Sequence, residues 1–164
     1  MIDSSLHIRP AVPDEAPLIS DLALRSKASW DYDEAFITAC RPALTFSPDY
    51  ITANPMYVVE MEGRVAGFYS LQPVSEQEVN LENLFVAPEA IGHGCGKRLW
   101  QHAIETACQL GYTQMLIEAD PNAESFYAAM GAETIGSVPS SVWPNRDLPL
   151  MRFSLVEREA DSVQ

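Results

Sequence analysis

Residues 84–99 run Leu84-Phe85-Val86-Ala87-Pro88-Glu89-Ala90-Ile91-Gly92-His93-Gly94-Cys95-Gly96-Lys97-Arg98-Leu99, so that three alternating glycines separate an apolar run from a helix-like one. Glycine accepts positive φ and lets an anion come close to backbone N–H groups. A helix that begins there adds unpaired amide donors and about half a positive charge at its first turn. Lys97-Arg98 is the single adjacent pair of cations in the whole sequence, and it sits at that turn. The chain carries 10 Lys+Arg against 23 Asp+Glu, a net charge of −13, so this local placement suits a ligand that bears phosphate.

Two nucleotide-binding patterns fail on these residues. The mononucleotide loop Gly-x-x-x-x-Gly-Lys-Ser/Thr meets Ile91 in place of its first glycine and Arg98 in place of its hydroxyl. The dinucleotide pattern Gly-x-Gly-x-x-Gly meets Lys97 where its third glycine belongs. Glu118 stands at a suitable distance for a ribose contact, but an antiparallel meander precedes the loop, which that fold does not place there.

The elements that position the loop are legible from periodicity. Leu6-His7-Ile8-Arg9 alternates and stops at Pro10, which reads as a strand. Pro13-Asp14-Glu15 opens a helix in which Leu18, Leu22 and Arg25 recur, with acids early and cations late. Asp33 is placed to cap a short helix through Cys40, and Ser47-Pro48-Asp49 to start another. Met56–Met61, a Glu62-Gly63 turn and Arg64–Pro73 read as a hairpin, with Val79–Val86 the third strand of the meander. A long amphipathic helix follows from about Gly96 to Leu110, with Leu99, Ala103, Ile104, Ala107 and Leu110 on its apolar side and Gly111 as its stop. Met115-Leu116-Ile117 is a buried strand, Glu124–Met130 a short helix, and Thr134–Val138 and Leu148–Leu155 are two more strands. This order predicts one mixed α/β domain over residues 6–155, built on a central twisted, mostly antiparallel sheet flanked by helices, with a polar tail at 156–164.

Composition limits the partners. At 164 residues and 47% hydrophobic content the chain is long enough for a single real core. A pI near 4.4 and only two lysines, Lys27 and Lys97, disfavour binding to nucleic acid or to an anionic membrane and suit a cationic or neutral partner. Cys40, Cys95 and Cys108 form no Cys-x-x-Cys pair, so neither a disulfide framework nor a metal site is expected. The first residues lack the basic and apolar regions of a signal peptide, and no apolar run approaches the roughly 18 residues of a membrane span. A soluble cytoplasmic protein is the expectation.

The pattern strand–Val-x-Pro-x-x-x-Gly-x-Gly-x-Gly-Lys-x-Leu–helix resembles the GNAT superfamily of N-acetyltransferases. A second block, Asp120-Pro121-Asn122-Ala123-Glu124-Ser125-Phe126-Tyr127-Ala128-Ala129-Met130-Gly131, is similar to the Asn-x-x-x-Phe-Tyr-x-x-x-Gly segment of that family. The element order matches over about residues 6–155. The resemblance implies that the loop, through Gly92, His93, Gly94, Cys95, Gly96 and Lys97, holds the pyrophosphate of acetyl-coenzyme A. It implies that Asn122 and Phe126 lie along the pantetheine arm, and that the strand at Leu84, Phe85 and Val86 offers N–H donors to the thioester carbonyl. Ile91 departs from the family, which usually has Gln or Arg there, so one side-chain contact to the pyrophosphate is missing. Homodimers are common in the superfamily, and a homodimer is a possible state here.

Acetyl transfer needs a neutral amine, although a free alkylamine has a pKa of about 10.4. A base must take the proton, an N–H donor must hold the oxyanion, and an acid must protonate the leaving thiolate. The resemblance assigns the acid to Tyr127. Glu82 lies two residues before Leu84, on the same sheet face by alternation, and is the candidate base, directly or through water, with Glu118 in reserve. Cys95 at a helix start raises the question of a covalent route, but no His is placed by motif to serve it, and it reads as a small loop residue. For the acceptor, Trp30 and Tyr32 stand among Asp31, Asp33 and Glu34, a mixture that attracts a cationic amine; the acids read equally as a helix cap and a solvated face. Residues Ser137–Pro149 form a long loop with Trp143 and Arg146, which could close over a substrate, and Arg146 would favour an acceptor carboxylate. The sequence therefore points to an acetyl-coenzyme A-dependent N-acetyltransferase acting on a small-molecule amine. Its rivals are a non-catalytic acyl-coenzyme A-binding module and an enzyme acting on protein or peptide amines.

Overall fold

The computed structural model describes residues 6–155; the polar tail expected at 156–164 lies outside the described residues. Seven strands are arranged in the order β1-β2-β3-β4-β5-β7-β6, and the fold is mixed α/β with a mostly antiparallel sheet, as the sequence predicts. Contacts divide the chain into two compact units, one of residues up to Ser70 with Asn83–Leu99, the other of Leu71–Glu82 with the chain from Trp100 on.

In the first unit β1 (Leu6–Pro10) pairs antiparallel with β2 (Met56–Met61), and β2 with β3 (Arg64–Pro73). Glu62 and Gly63 both take positive φ, 54° and 78°, which is the geometry a two-residue hairpin needs to match strand twist. Helix α1 (Ala16–Ala28) is preceded by a 3-10 turn at Pro13–Glu15. Its buried face is Ala16, Ile19, Leu22, Ala23 and Ser26; Leu18, expected on that face, points to solvent. Helices α2 (Glu34–Cys40) and α3 (Pro48–Ala53) start where expected, with the side chains of Asp33 and Ser47 accepting from the N–H groups of Phe36 and Tyr50. Arg9 ties this region together, donating to Glu15 at 2.6 Å and to Glu60 at 3.0 Å from a mostly buried position. An aromatic cluster packs Phe46 against Phe68 and Phe68 against Phe85, with ring centroids 5.5 and 5.7 Å apart.

In the second unit the start of β4 (Glu78–Val86) pairs parallel with β5 (Gln114–Glu118) through Glu78–Asn80 and Gln114–Leu116. β5 pairs antiparallel with β7 (Asp147–Ser154), and β7 with β6 (Glu133–Pro139), whose register shifts between Thr134 and Gly136. Helix α4 (Cys95–Gln109) begins in the first unit and continues into this one. Leu99, Ala103, Ile104 and Ala107 are buried on it as the periodicity predicts, and so is Trp100. Leu110, expected on the same face, lies just past the helix end and is 54% exposed. Gly111 follows at φ 93°, the left-handed stop. Helix α5 (Glu124–Ala129) is entered through a 3-10 turn at Pro121–Ala123 and ends before Gly131, at φ 107°. The strands flanking the last loop are longer than expected, so the connection spans 140–146 rather than Ser137–Pro149. Among the described residues no helix is long and apolar enough to cross a membrane.

Candidate active site

The glycine loop is built in the first unit. Strand β4 ends at Val86, and a 3-10 turn at Pro88–Ala90 leads to Ile91, whose apolar side chain is 59% exposed. Gly92 and Gly94 take φ values of 91° and 86°. Gly96 does not; it already lies in the first turn of α4. A Cβ at Gly92 would meet nothing within 4 Å, so the glycine is required by its backbone conformation and not by crowding. Arg98 N–H donates to Gly94 at 3.1 Å and closes the first helical turn, while His93 N–H donates to Ala90. The amides of Cys95, Gly96 and Lys97 precede the first intrahelical bond and are the donors such a helix start leaves open. His93 and Lys97 are exposed, and Arg98 is half-buried. Arg25 of α1 reaches Glu89 at 3.0 Å and ties the entry of the loop to the helix. Cys95 is buried, and that burial pushes its thiol up despite the opposing pull of Arg98, so it is no activated nucleophile.

Leu84, Phe85 and Val86 are half-buried. Their strand is crowded at one point, where a Cβ on Gly67 would lie 2.7 Å from the Phe85 carbonyl oxygen and 3.1 Å from Leu99. Glycine at 67 therefore lets β3 and β4 approach. Beside it the Asn83 amide donates to Ser70 Oγ at 2.9 Å, and Ser70 lies 3.2 Å from the Tyr50 hydroxyl. This polar group was not found in the sequence, because its members are 33 residues apart and none belongs to a motif.

The candidate acid and base belong to the second unit. Glu82 stands on the open side of β4, yet its carboxyl is held above the ordinary glutamate range, first by desolvation and then by the like charge of Glu118. Asn80 opposes this with a hydrogen bond to the carboxylate. Tyr127 is buried on α5, with ring centroids of Trp100 and Phe126 at 5.8 and 5.2 Å. Burial foremost, then the negative field of Asp120, holds its phenol protonated far above the usual tyrosine value. Trp100 was not singled out from the sequence, although its spacing to Ala103, Ile104 and Ala107 is that of one helix face. Asn122 is exposed and Phe126 half-buried.

The acceptor residues take a different form from the expectation. Trp30 is 43% exposed, whereas the Tyr32 ring packs on Phe36 at 4.3 Å and already carries a cation, with Lys27 Nζ 5.5 Å from its centroid. Asp33 is the cap of α2. Arg146, considered for an acceptor carboxylate, instead reaches Asp120 at 3.5 Å. Among the described residues no group of three or more His, Cys, Asp or Glu is placed to hold a metal ion.

Known proteins resemble this chain in sequence and in fold. The acetyltransferase (GNAT) family model matches residues 22–132. A 5-NmdU N-acetyltransferase of Pseudomonas phage PaMx11 is 29% identical over 130 residues, covering 79% of this chain and 88% of its own. Among solved structures, a GCN5-related N-acetyltransferase from Rhodopseudomonas palustris superposes with a TM-score of 0.78 at 20% identity, over 92% of this chain and 96% of that one. The PaiA N-acetyltransferase of Thermoplasma acidophilum, in complex with coenzyme A, gives 0.75 at 17% identity, over 92% and 99%. With its family model spanning strand, glycine loop and the Phe-Tyr helix alike, the chain belongs to the acetyltransferase (GNAT) family and is an acyltransferase.

Proposed function

We propose that the domain over residues 6–155 transfers an acetyl group from acetyl-coenzyme A to the primary amine of a small molecule, directly within a ternary complex. The loop amides of Gly92–Lys97 bind the pyrophosphate of the co-substrate, and the N–H groups near Phe85 and Val86 hold the thioester carbonyl. Glu82 takes the amine proton. Its carboxyl, held above the ordinary glutamate range by burial and by Glu118, makes a stronger base than an ordinary glutamate. Tyr127 then donates its proton to the sulfur as the carbon–sulfur bond breaks.

The observation that carries this reading is Tyr127, buried on α5 against Trp100 and Phe126 and held protonated there.

Calorimetric titration with acetyl-coenzyme A, followed by thiol release over a panel of amines, tests the proposal. Binding with release for one amine class supports it, binding without release supports the binding module, and absence of binding removes it. The panel includes 5-NmdU, the compound in the name of the phage relative, and basic peptides as the rival acceptors.

A further inference from the structure

The polar group beside Gly67 occupies one level of a regular ladder within the first unit. Ala87 N–H donates to the Ala66 carbonyl at 2.8 Å, the Phe85 and Phe68 rings pack with centroids 5.7 Å apart, and Asn83 Nδ2 donates to Ser70 Oγ at 2.9 Å. Each step moves two residues back along β4 and two forward along β3, which is the pairing of neighbouring antiparallel strands. Asn83 therefore stands opposite Ser70, on the sheet face that also carries Phe68 and Phe85. Tyr50 of α3 reaches the same face, its hydroxyl 3.2 Å from Ser70 Oγ. Phe46 links it to the strand, with ring centroids 5.4 Å from Tyr50 and 5.5 Å from Phe68.

This register decides which backbone groups of β4 are used. With Ala87 N–H turned to β3, alternation turns the N–H groups of Val86 and Leu84 the other way. A slip of one residue would exchange the two sets and draw the Val86 donor into the ladder. Apolar packing opposes such a slip weakly, because Leu84 and Val86 flank Phe85 on either side. Ser70 opposes it directly. It is 0% exposed, within the run Ala66-Gly67-Phe68-Tyr69-Ser70-Leu71, and its hydroxyl receives the Asn83 amide in the observed register. A buried hydroxyl has to be hydrogen-bonded, yet replacing both partners of such a pair by apolar groups of similar shape leaves stability nearly unchanged. What the pair adds is direction.

We propose that Ser70 is a positioning residue for acyl transfer, which through Asn83 pins β4 in the register that keeps the Val86 N–H turned out to the thioester carbonyl. The inference rests on that carbonyl being held by this strand. As the amine attacks, a nitrogen–carbon bond forms and the carbonyl π pair moves to oxygen. When the carbonyl re-forms, the carbon–sulfur bond breaks and its pair leaves on sulfur, which gains a proton as the nitrogen loses one. Between these events the charge sits on oxygen, and a donor stabilises it only if already aimed at it.

The test uses acetyl-coenzyme A labelled with heavy carbon at the acetyl carbonyl, read by infrared difference spectroscopy of the binary complex, together with calorimetry, melting and thiol release with a productive amine. In the unaltered protein the carbonyl band should lie below that of free acetyl-coenzyme A. In Ser70→Ala/Asn83→Leu it should return toward the free position, with kcat about tenfold lower. Affinity for acetyl-coenzyme A should stay within about twofold, because the loop amides still hold the pyrophosphate. Ser70→Ala alone deprives the Asn83 amide of its acceptor and should melt lower, whereas the double variant should recover the melting temperature without recovering kcat. A merely structural pair would recover both. Should the double variant fail to fold, the band and kcat of Ser70→Ala are read in the same way. A band or a kcat unchanged from the unaltered protein, or a kcat that recovers together with the melting temperature, would overturn the inference. A band at the free position in the unaltered protein would instead overturn the donor assignment beneath it.

Discussion

In the proposed mechanism Tyr127 and Glu82 face opposite demands: one must stay protonated until sulfur needs a proton, the other must be ionised to receive one. Burial and the Asp120 field secure the first, while desolvation and Glu118 make the second a stronger base than glutamate usually is. Tyr127→Phe should lower turnover at least about tenfold with acetyl-coenzyme A affinity unchanged, as measured by thiol release and calorimetry. The base makes its own prediction in pH. A carboxyl raised by a neighbouring charge is protonated over a higher pH range, so the acid limb of kcat/KM lies above the ordinary glutamate range. Glu118→Gln removes the like charge and should shift that limb to lower pH, whereas Glu82→Gln should abolish it and leave only the titration of the amine. A limb that stays in place in Glu118→Gln would show that the two carboxyls are not coupled in the working enzyme. At this scale the motif blocks were legible because backbone amides and a Phe-Tyr pair are local in sequence. The partners that tune them, Asp120 for Tyr127 and Glu118 for Glu82, were named from the sequence only as motif or reserve residues, since their fields act through space.

Elements were legible where one face or one cap dominates. Asp33 and Ser47 cap short helices as their residue types predict, and Glu62-Gly63 makes its turn. Leu18 was misplaced because helical spacing alone does not say which of two overlapping stripes meets a partner, and Ile19 took the core beside Leu22; Leu110 is exposed because the helix ends at Gln109. The last loop was drawn too long because Ser137, Pro139 and Pro149 look like loop residues but pair in β6 and β7. Gly67 was passed over within an apolar strand, although its position is among the most constrained. Gly67→Ala places a methyl group 2.7 Å from a backbone carbonyl, which cannot swing aside as a side chain could. Overpacking of this kind costs about 1–3 kcal/mol. The variant should melt several degrees lower and lose turnover, since Phe85 must move on the strand that carries the proposed thioester donors. Gly92→Ala has free space and only a backbone penalty, about 1–2 kcal/mol for a left-handed residue. It should weaken acetyl-coenzyme A binding with little change in kcat. Comparing the two melts and the two kinetic splits separates crowding from conformation.

Across the whole molecule, a net charge of −13 acts on the two substrates in opposite directions. On the proposed reading, a cationic amine is drawn toward the surface at long range, while the multiply anionic co-substrate is repelled until it reaches Lys97, Arg98 and the amides of the loop. Short-range donors decide how long the co-substrate stays, and the distant field decides how often it arrives. Salt should therefore separate the two. Raising ionic strength from about 0.01 M to 0.15 M shortens the Debye length from about 30 to about 8 Å, which screens the distant charges but spares the contacts within the loop. The association rate of acetyl-coenzyme A, followed by stopped flow, should rise over this range. The KM of a cationic acceptor should rise as well, because its attraction is lost. A neutral acceptor should show no such rise in KM, so the slope of KM against salt reports the charge of the acceptor. Lys97→Ala supplies the control: removal of an exposed cation beside the phosphate-binding amides should speed co-substrate release while the salt dependence of the acceptor KM stays as it was. If the acceptor KM does not respond to salt for any amine in the panel, the acidic surface has no part in choosing the substrate, and the acceptor is recognised by contact alone.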